Sequence, residues 1–221
     1  MLARRPLAAA AAAMSAALLA LVALSGCAAA AAGPLSGAVV PTGAERVAVI
    51  GDSIESGLGL DPDEAWPALV AASRGWRLSN LSVPGAGFVA QGTDGGDFSA
   101  QVATAIASHP QLVFIGASDN DLGTDPATVG AAVEKAVDQI RAALPHARIV
   151  GFNALTGQAG DDDLAPLDAA VKKAVEADGG TWLDLGQPYR GRAGFVQDDG
   201  EHPTLPGQQA IAAAVEAQLQ D

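Results

Sequence analysis

The run Val47-Ala48-Val49-Ile50-Gly51-Asp52-Ser53-Ile54-Glu55-Ser56-Gly57 sets a serine shortly after an apolar stretch rich in β-branched side chains. Such a stretch reads as a buried strand, and open α/β sheets bind ligands at the carboxyl ends of their parallel strands. Gly51, Gly57 and Gly59 around the serine permit a sharp turn and the close approach of a substrate. Gly-Asp-Ser by itself is also ordinary turn chemistry. Far along the chain, Asp199-Gly200-Glu201-His202-Pro203 places a carboxylate and an imidazole three residues apart on a turn constrained by glycine and proline. That spacing allows Asp199 to hold one ring nitrogen of His202 while the other faces a serine hydroxyl, as an acyl-transfer nucleophile requires. A lone Asp-x-x-His is otherwise common in surface turns, and Asp198 is the alternative orienting acid, one residue out of register.

Two hydrogen-bond donors complete a set. Gly85, in Pro84-Gly85-Ala86-Gly87, offers a backbone N–H in a glycine-bearing turn, and Asn120 offers a carboxamide. Ser53, Gly85, Asn120 and His202 all fall in loops that follow expected strands, so they would share one edge of a sheet. A nucleophile, a base with its orienting acid and two N–H donors are the parts of an ester hydrolase.

The elements that would carry these loops alternate. Strands are expected at 47–50, 76–83, 112–116, 147–152 and 181–185, and helices at 63–73, 97–108, 125–144, 162–178 and 206–219. Asp125-Pro126 is the best helix start, with an N-cap acid and proline in the first position. Its apolar stripe is Val129, Val133, Ala136, Val137, Ile140 and Leu144. Continuous apolar strands alternating with helices imply a three-layer α/β/α fold around a five-stranded parallel sheet. Right-handed crossovers then favour the flavodoxin-like order 2-1-3-4-5.

Residues 45–221 form the expected folded domain. Before them, Arg4 and Arg5 precede an apolar segment without charge from Leu7 to Leu24, the pattern of an export signal over residues 1–26. Leu24-Ser25-Gly26-Cys27 resembles the lipobox of bacterial lipoproteins, in which the cysteine becomes the first mature residue and carries a lipid on its sulfur. The alternatives are an ordinary cleavage site, leading to a secreted protein, and an uncleaved anchor helix. Cys27 is the only cysteine, so an intramolecular disulfide is excluded. Residues 27–44, rich in Ala, Gly and Pro, read as a flexible tether.

The formal charge is −13, from 12 basic and 25 acidic residues. Loss of Arg4 and Arg5 with the signal leaves 10 basic residues against the same 25, or −15. So acidic a body is repelled by nucleic acid and by anionic headgroups. The expectation is therefore no nucleic-acid partner, and a hold on the outer face of the cell membrane through a lipid on Cys27 rather than through surface charge.

Taken together, the blocks resemble the SGNH, or GDSL-type, hydrolase family. Gly51-Asp52-Ser53-Ile54 stands where that family has Gly-Asp-Ser-Leu, and Gly85 matches its second-block glycine. Asn120-Asp121 matches the end of its Gly-x-Asn-Asp block, and Asp199 to His202 its closing Asp-x-x-His. The resemblance covers residues 45–220 and departs at Ser118, which replaces the glycine of Gly-x-Asn-Asp. It implies an acyl-enzyme on Ser53, with His202 as base, Asp199 as orienting acid, and an oxyanion hole from the Ser53 and Gly85 N–H groups and the Asn120 side chain. No cofactor or metal is expected. The substrate would be a small-molecule, glycan or lipid ester. A non-catalytic surface protein binding an acylated glycan or lipid is the alternative.

Other residues draw plainer readings. His109 and His146 suit a helix end and a surface loop, and Asp161-Asp162-Asp163 suits a helix first turn better than a calcium loop. Tyr189, Arg190 and Arg192 are expected in a solvated loop, with substrate contact as the alternative. The polar, glycine-rich segment 87–97 is the expected mobile, substrate-facing loop.

Overall fold

Side chains alternate across the first strand, and each face of it meets a different layer of helices. The computed structural model describes residues 43–219. In it, β1 (Arg46–Ile50) is followed by α1 (Ser53–Ser56), α2 (Trp66–Arg74), β2 (Arg77–Asn80), α3 (Phe98–Ser108) and β3 (Leu112–Gly116). A 3-10 turn at Asp119–Asp121 leads to α4 (Pro126–Ala143), β4 (Arg148–Phe152), α5 (Asp161–Ala177), β5 (Thr181–Leu183) and α6 (Leu205–Gln218). The five strands form one parallel sheet in the order β2-β1-β3-β4-β5, as the alternation implied.

Val47 and Val49 point to the layer made by α2 and α6, where they pack with Trp66, Val70, Ile211 and Val215. Ala48 and Ile50 point the other way, to Val102 of α3, Val133 and Val137 of α4, and Val171 of α5. Each fully buried Val, Leu or Ile side chain contributes about 1.5–3 kcal/mol relative to exposure. The indole of Trp66 meets Phe114 and Phe152 edge-on, with centroids 5.9 and 5.6 Å apart. Gly116 ends β3 without a side chain because a Cβ there would lie 2.5 Å from the Phe152 ring.

Several helix ends match their sequence signals. Asp125 caps α4 by accepting from Thr128 N, and Pro126 fills its first position. Asp97 caps α3 in the same manner. Helix α2 starts at Trp66 rather than at 63, because Pro67 has no N–H to give residue 63 and its ring would clash there. Strand β2 ends at Asn80, short of 83; Leu81 N and Val83 N still donate to Val49 O and Gly51 O beyond the regular ladder. Asp161, Asp162 and Asp163 fill the first turn of α5, behind Gly160. Cys27, the signal segment and most of the tether lie outside the described residues. Among the described residues, no helix is long and apolar enough to cross a membrane.

Candidate active site

Ser53 opens α1 at the carboxyl end of β1, and the turn that presents it is held by two buried carboxyl groups. Asp52 accepts from Ile54 N at 2.9 Å, while Glu55 accepts from Asp52 N at 3.0 Å. This reciprocal capping box fixes a helix too short to be stable alone. Both carboxyls are held above their ordinary range, chiefly by burial; for Asp52 the Glu55 charge adds to it. Trp66 Nε1 donates to Glu55 at 3.2 Å, and Asn80 Nδ2 to the Glu55 carbonyl at 2.7 Å. Gln101 bonds both backbone groups of Gly51, and Gln208 Nε2 donates to Ile54 O. A Cβ on Gly51 would lie 2.6 Å from Glu55 Cγ, so the capping box requires glycine there.

The loop between β5 and α6 returns His202 to this turn. His202 Nε2 lies 3.0 Å from Ser53 Oγ, and Nδ1 lies 2.7 Å from Asp199 Oδ2. Asp199 Oδ1 also accepts from the N–H groups of Glu201 and His202, at 2.9 and 3.0 Å. The His202 hydrogen bond first, and then those two N–H groups, lower the Asp199 carboxyl to about 2. Asp198, the alternative acid, is exposed and takes no part in this chain. Gln197 steadies the loop by donating Nε2 to Leu58 O and Pro203 O, at 2.8 and 2.9 Å.

On the other side of Ser53 stand the donors. Gly85 has φ +81, a left-handed conformation that a side chain would strain. Among the described residues, the N–H groups of Ser53 and Gly85 donate to no protein acceptor, and both residues line the cleft. Asn120 lines it as well. Its Nδ2 lies 3.1 Å from Ala86 O, 3.1 Å from Ser118 Oγ and 3.4 Å from Asp52 Oδ2. Asp121 organises the neighbouring loop by accepting from Phe88, Val89 and Ala90 N–H groups at 2.7, 3.0 and 2.9 Å. The structure thus brings Ser53, Gly85, Asn120, Asp199 and His202 to one sheet edge, around a cavity of 520 Å³ that Asp199 supports from behind.

The only exposed large apolar residues among those described, Leu58 and Leu122 at 43% and 39%, both line this cleft. A larger cavity of 710 Å³ lies at the amino ends of β4 and β5, beside Arg141 and Trp182, away from the serine and histidine. No group of His, Cys, Asp or Glu suited to a metal ion occurs among the described residues.

Other expectations resolve differently. Tyr189 is wholly buried in the α2–α6 side of the core, neither solvated nor open to substrate. Arg190 is engaged by Ala159 O and Asp161, and Arg192 lies 3.7 Å over the Phe195 ring. Of the segment 87–97, Thr93 reaches the cleft, while Gly87, Gly92 and Gly95 are bonded within the loop itself. His109 caps α3 in the left-handed region, and His146 is exposed. The supporting roles of Gln101, Gln208 and Glu55 have no counterpart in the sequence reading, and Ser118 stood out there only as the departure from the family glycine. The available signal was a glutamine on an apolar helix stripe, beside Val102 and Ala105 in α3 and beside Ile211 and Ala212 in α6.

A parallel sheet sandwiched by helices, with serine, histidine and aspartate linked in series at its carboxyl edge, is an arrangement able to carry acyl transfer. Residues 49–210 match the model of the GDSL-like lipase/acylhydrolase family, and the chain belongs to that family. It is accordingly an esterase of the SGNH type. Among solved structures it is similar to TesA, with 24% identity over 80% of this chain and 98% of that one, and a TM-score of 0.66. It is also similar to the psychrotrophic esterase EstA from Pseudoalteromonas sp., at 17% identity, 78% and 95% coverage and TM-score 0.64. A family two carbohydrate esterase from Clostridium thermocellum, solved with cellohexaose, matches at 17% identity, 79% of this chain, 63% of that one and TM-score 0.66. No curated protein sequence matches the chain.

Proposed function

We propose that the chain is an exported, lipid-anchored serine esterase with Ser53 as nucleophile, His202 as general base and Asp199 as orienting acid. The observation that carries this reading is the continuous series Ser53 Oγ, His202, Asp199, at 3.0 and 2.7 Å. Ser53 Oγ attacks the acyl carbonyl as its proton passes to His202 Nε2. Asp199 holds the Nδ1–H tautomer and stabilises the imidazolium, and its low proton affinity keeps it ionised throughout. The oxyanion is received by the N–H groups of Ser53 and Gly85 and by the Asn120 carboxamide. Loss of one such donor typically costs about 2.7–4 kcal/mol of barrier. His202 returns the proton to the leaving alcohol, and water releases the acyl group by the same route. Besides substrate and water, these steps use groups of the chain itself.

Leu58 and Leu122 at the mouth favour a substrate with an apolar part, and among the described residues no Lys or Arg lines the cleft to receive a phosphate. A neutral small-molecule or glycan ester suits this lining best. The acidic surface argues against nucleic acid as a partner. The full chain is expected to turn over p-nitrophenyl acetate and butyrate. Ser53→Ala should abolish that turnover with thermal unfolding unchanged, and residual wild-type turnover in the variant would assign the nucleophile elsewhere. Cys27→Ser should release the protein from the membrane fraction or arrest its processing; unchanged lipid labelling would remove the anchor from this proposal.

A further inference from the structure

The loop after β4 is the one strand-end loop to which the sequence assigns no chemistry, yet it meets the acid–base loop directly. Thr156 is wholly buried, and its Oγ1 accepts from Gln158 N and Ala159 N, both at 3.1 Å, which folds residues 156–159 into a rigid turn. That turn presents three donors to the loop holding Asp199 and His202. Gly157 N donates to Glu201 Oε1 at 3.0 Å, Thr156 Oγ1 to Glu201 Oε2 at 3.2 Å, and Gln158 Nε2 to Asp199 O at 3.3 Å. The two backbones pack without space between them. A Cβ on Gly157 would lie 2.6 Å from Glu201 O and 2.7 Å from Glu201 Cα, against Gly200 O as well.

We propose that Glu201 is a positioning residue for ester hydrolysis, gripped at both carboxylate oxygens by residues 156–157 so that the adjoining His202 stays in register with Ser53. The inference rests on the proposed role of His202 as base. The geometry explains why such a grip matters. Asp199 is exposed, so the acid–base pair stands on a surface loop that the core does not immobilise. Gln197 ties one flank of that loop to Leu58 O, near the nucleophile. Glu201 ties the other flank to the sheet through the turn after β4. An imidazole displaced by about 1 Å loses its aim at the serine, which can cost on the order of 10² in rate.

Asp119 extends the brace to the oxyanion side. It sits next to Asn120, lines the same cleft, and interacts with both Thr156 and Glu201. Burial first, and then the Glu201 charge, raise its carboxyl to about 6. Tyr189 is wholly buried, and its hydroxyl makes no hydrogen bond to a described residue. The brace therefore joins the loops after β3, β4 and β5 along one wall of the cleft, which Asp119, Gln158 and Glu201 line.

The test compares Glu201→Ala, Glu201→Gln and Gln158→Ala in the full chain, with p-nitrophenyl acetate as substrate. Glu201→Ala is expected to lower kcat about 10- to 100-fold with KM within about threefold of wild type. Glu201→Gln keeps an acceptor for Gly157 N and a donor toward Asp119, and should retain at least about a third of wild-type kcat. Gln158→Ala, which removes one exposed tie, should lower kcat about two- to fivefold. Unchanged kcat in Glu201→Ala, an effect on KM alone, or Glu201→Gln as impaired as Glu201→Ala would overturn the proposal. Should Glu201→Ala fail to fold, unchanged kcat in Gln158→Ala would overturn it.

A second readout needs no turnover and so separates this proposal from the assignment of the base. The Nδ1 proton of His202, held against Asp199, should give a low-field proton NMR signal in wild type and in Ser53→Ala. It should broaden or vanish in Glu201→Ala and persist in Glu201→Gln. A signal equally sharp in Glu201→Ala would refute the brace even if the chain hydrolysed no ester.

Discussion

Ser118 Oγ donates to the buried Asp52 carboxyl at 2.6 Å, which binds the residue preceding Ser53 to the loop that carries Asn120. The family glycine at this position could make no such bond. Ser118 also accepts from Asn120 N at 3.2 Å and lies 3.1 Å from Asn120 Nδ2, so its hydroxyl sets the direction of the carboxamide rather than crowding it.

Removing that hydroxyl strands a buried acceptor. In Ser118→Ala, Asp52 Oδ2 keeps only the long 3.4 Å approach of Asn120 Nδ2. The loss is expected to destabilise the fold by about 1–3 kcal/mol, measurable by denaturant unfolding. With Asn120 less firmly aimed, kcat should fall about three- to tenfold at unchanged KM. A variant as stable and as active as wild type would show that Asp52 and Asn120 need no bridge.

Asn120 itself is the sharper probe of the proposed oxyanion site. The Asn120→Ala variant removes a donor that strengthens only as charge develops on the substrate oxygen, so it should act on kcat and spare KM. The expected loss is about 10²–10³ in kcat, read from Michaelis kinetics on p-nitrophenyl butyrate. A rise in KM with kcat intact would make Asn120 a substrate-binding residue instead.

The sheet was legible because its signals are periodic and redundant. Leu112 to Gly116 is apolar throughout, as a strand covered on both faces must be, and the α4 stripe from Val129 to Ile140 is buried as spaced. Ser53, Gly85, Asn120, Asp199 and His202 were legible as a set because each follows a strand, so the topology alone brings their loops to one edge. The positioning machinery was not. Helix α1 and the 3-10 turn at Asp119–Asp121 span four and three residues, too short for any period. Glu201 and Thr156 meet across 45 residues of sequence, a contact set by loop packing that no local pattern encodes. Tyr189 misled for a related reason: its flanking arginines and glycine look solvated, while its ring turns inward to the core.

Asp199 offers a test through protonation. Its carboxyl, lowered to about 2 from the usual 3.8, stays charged across the working range. The pairing therefore contributes to folded stability above about pH 4, and that contribution is lost as pH falls through about 2. Protonation of Asp199 should accordingly contribute nothing to any decline of kcat/KM above about pH 4. Asp199→Asn should lower kcat about 10²–10⁴-fold, because an amide no longer holds the Nδ1–H tautomer. Wild-type rates in that variant would reassign the orienting acid.

Asp168 makes the opposite contribution to stability. Its Oδ1 accepts from Ala154 N at 2.7 Å, yet burial first, and then the charges of Asp184 and Asp161, raise the carboxyl from 3.8 to about 6. Between those values the folded chain binds the proton more tightly than the unfolded chain does. Stability attributable to this group therefore falls as pH rises from about 4 to about 6, and stays at its lower level above that. Asp119, also raised to about 6, adds a slope of the same sign. Asp168→Asn preserves an acceptor for Ala154 N and removes the charge. It should raise stability at pH 7–8 by about 1 kcal/mol once solvent screening is allowed for, and leave it nearly unchanged at pH 4. Melting temperatures of both proteins across pH 4–8 would decide the matter. A constant offset, or a variant less stable at pH 8 than at pH 4 relative to wild type, would mean that the Asp168 carboxylate stabilises the fold as an ion.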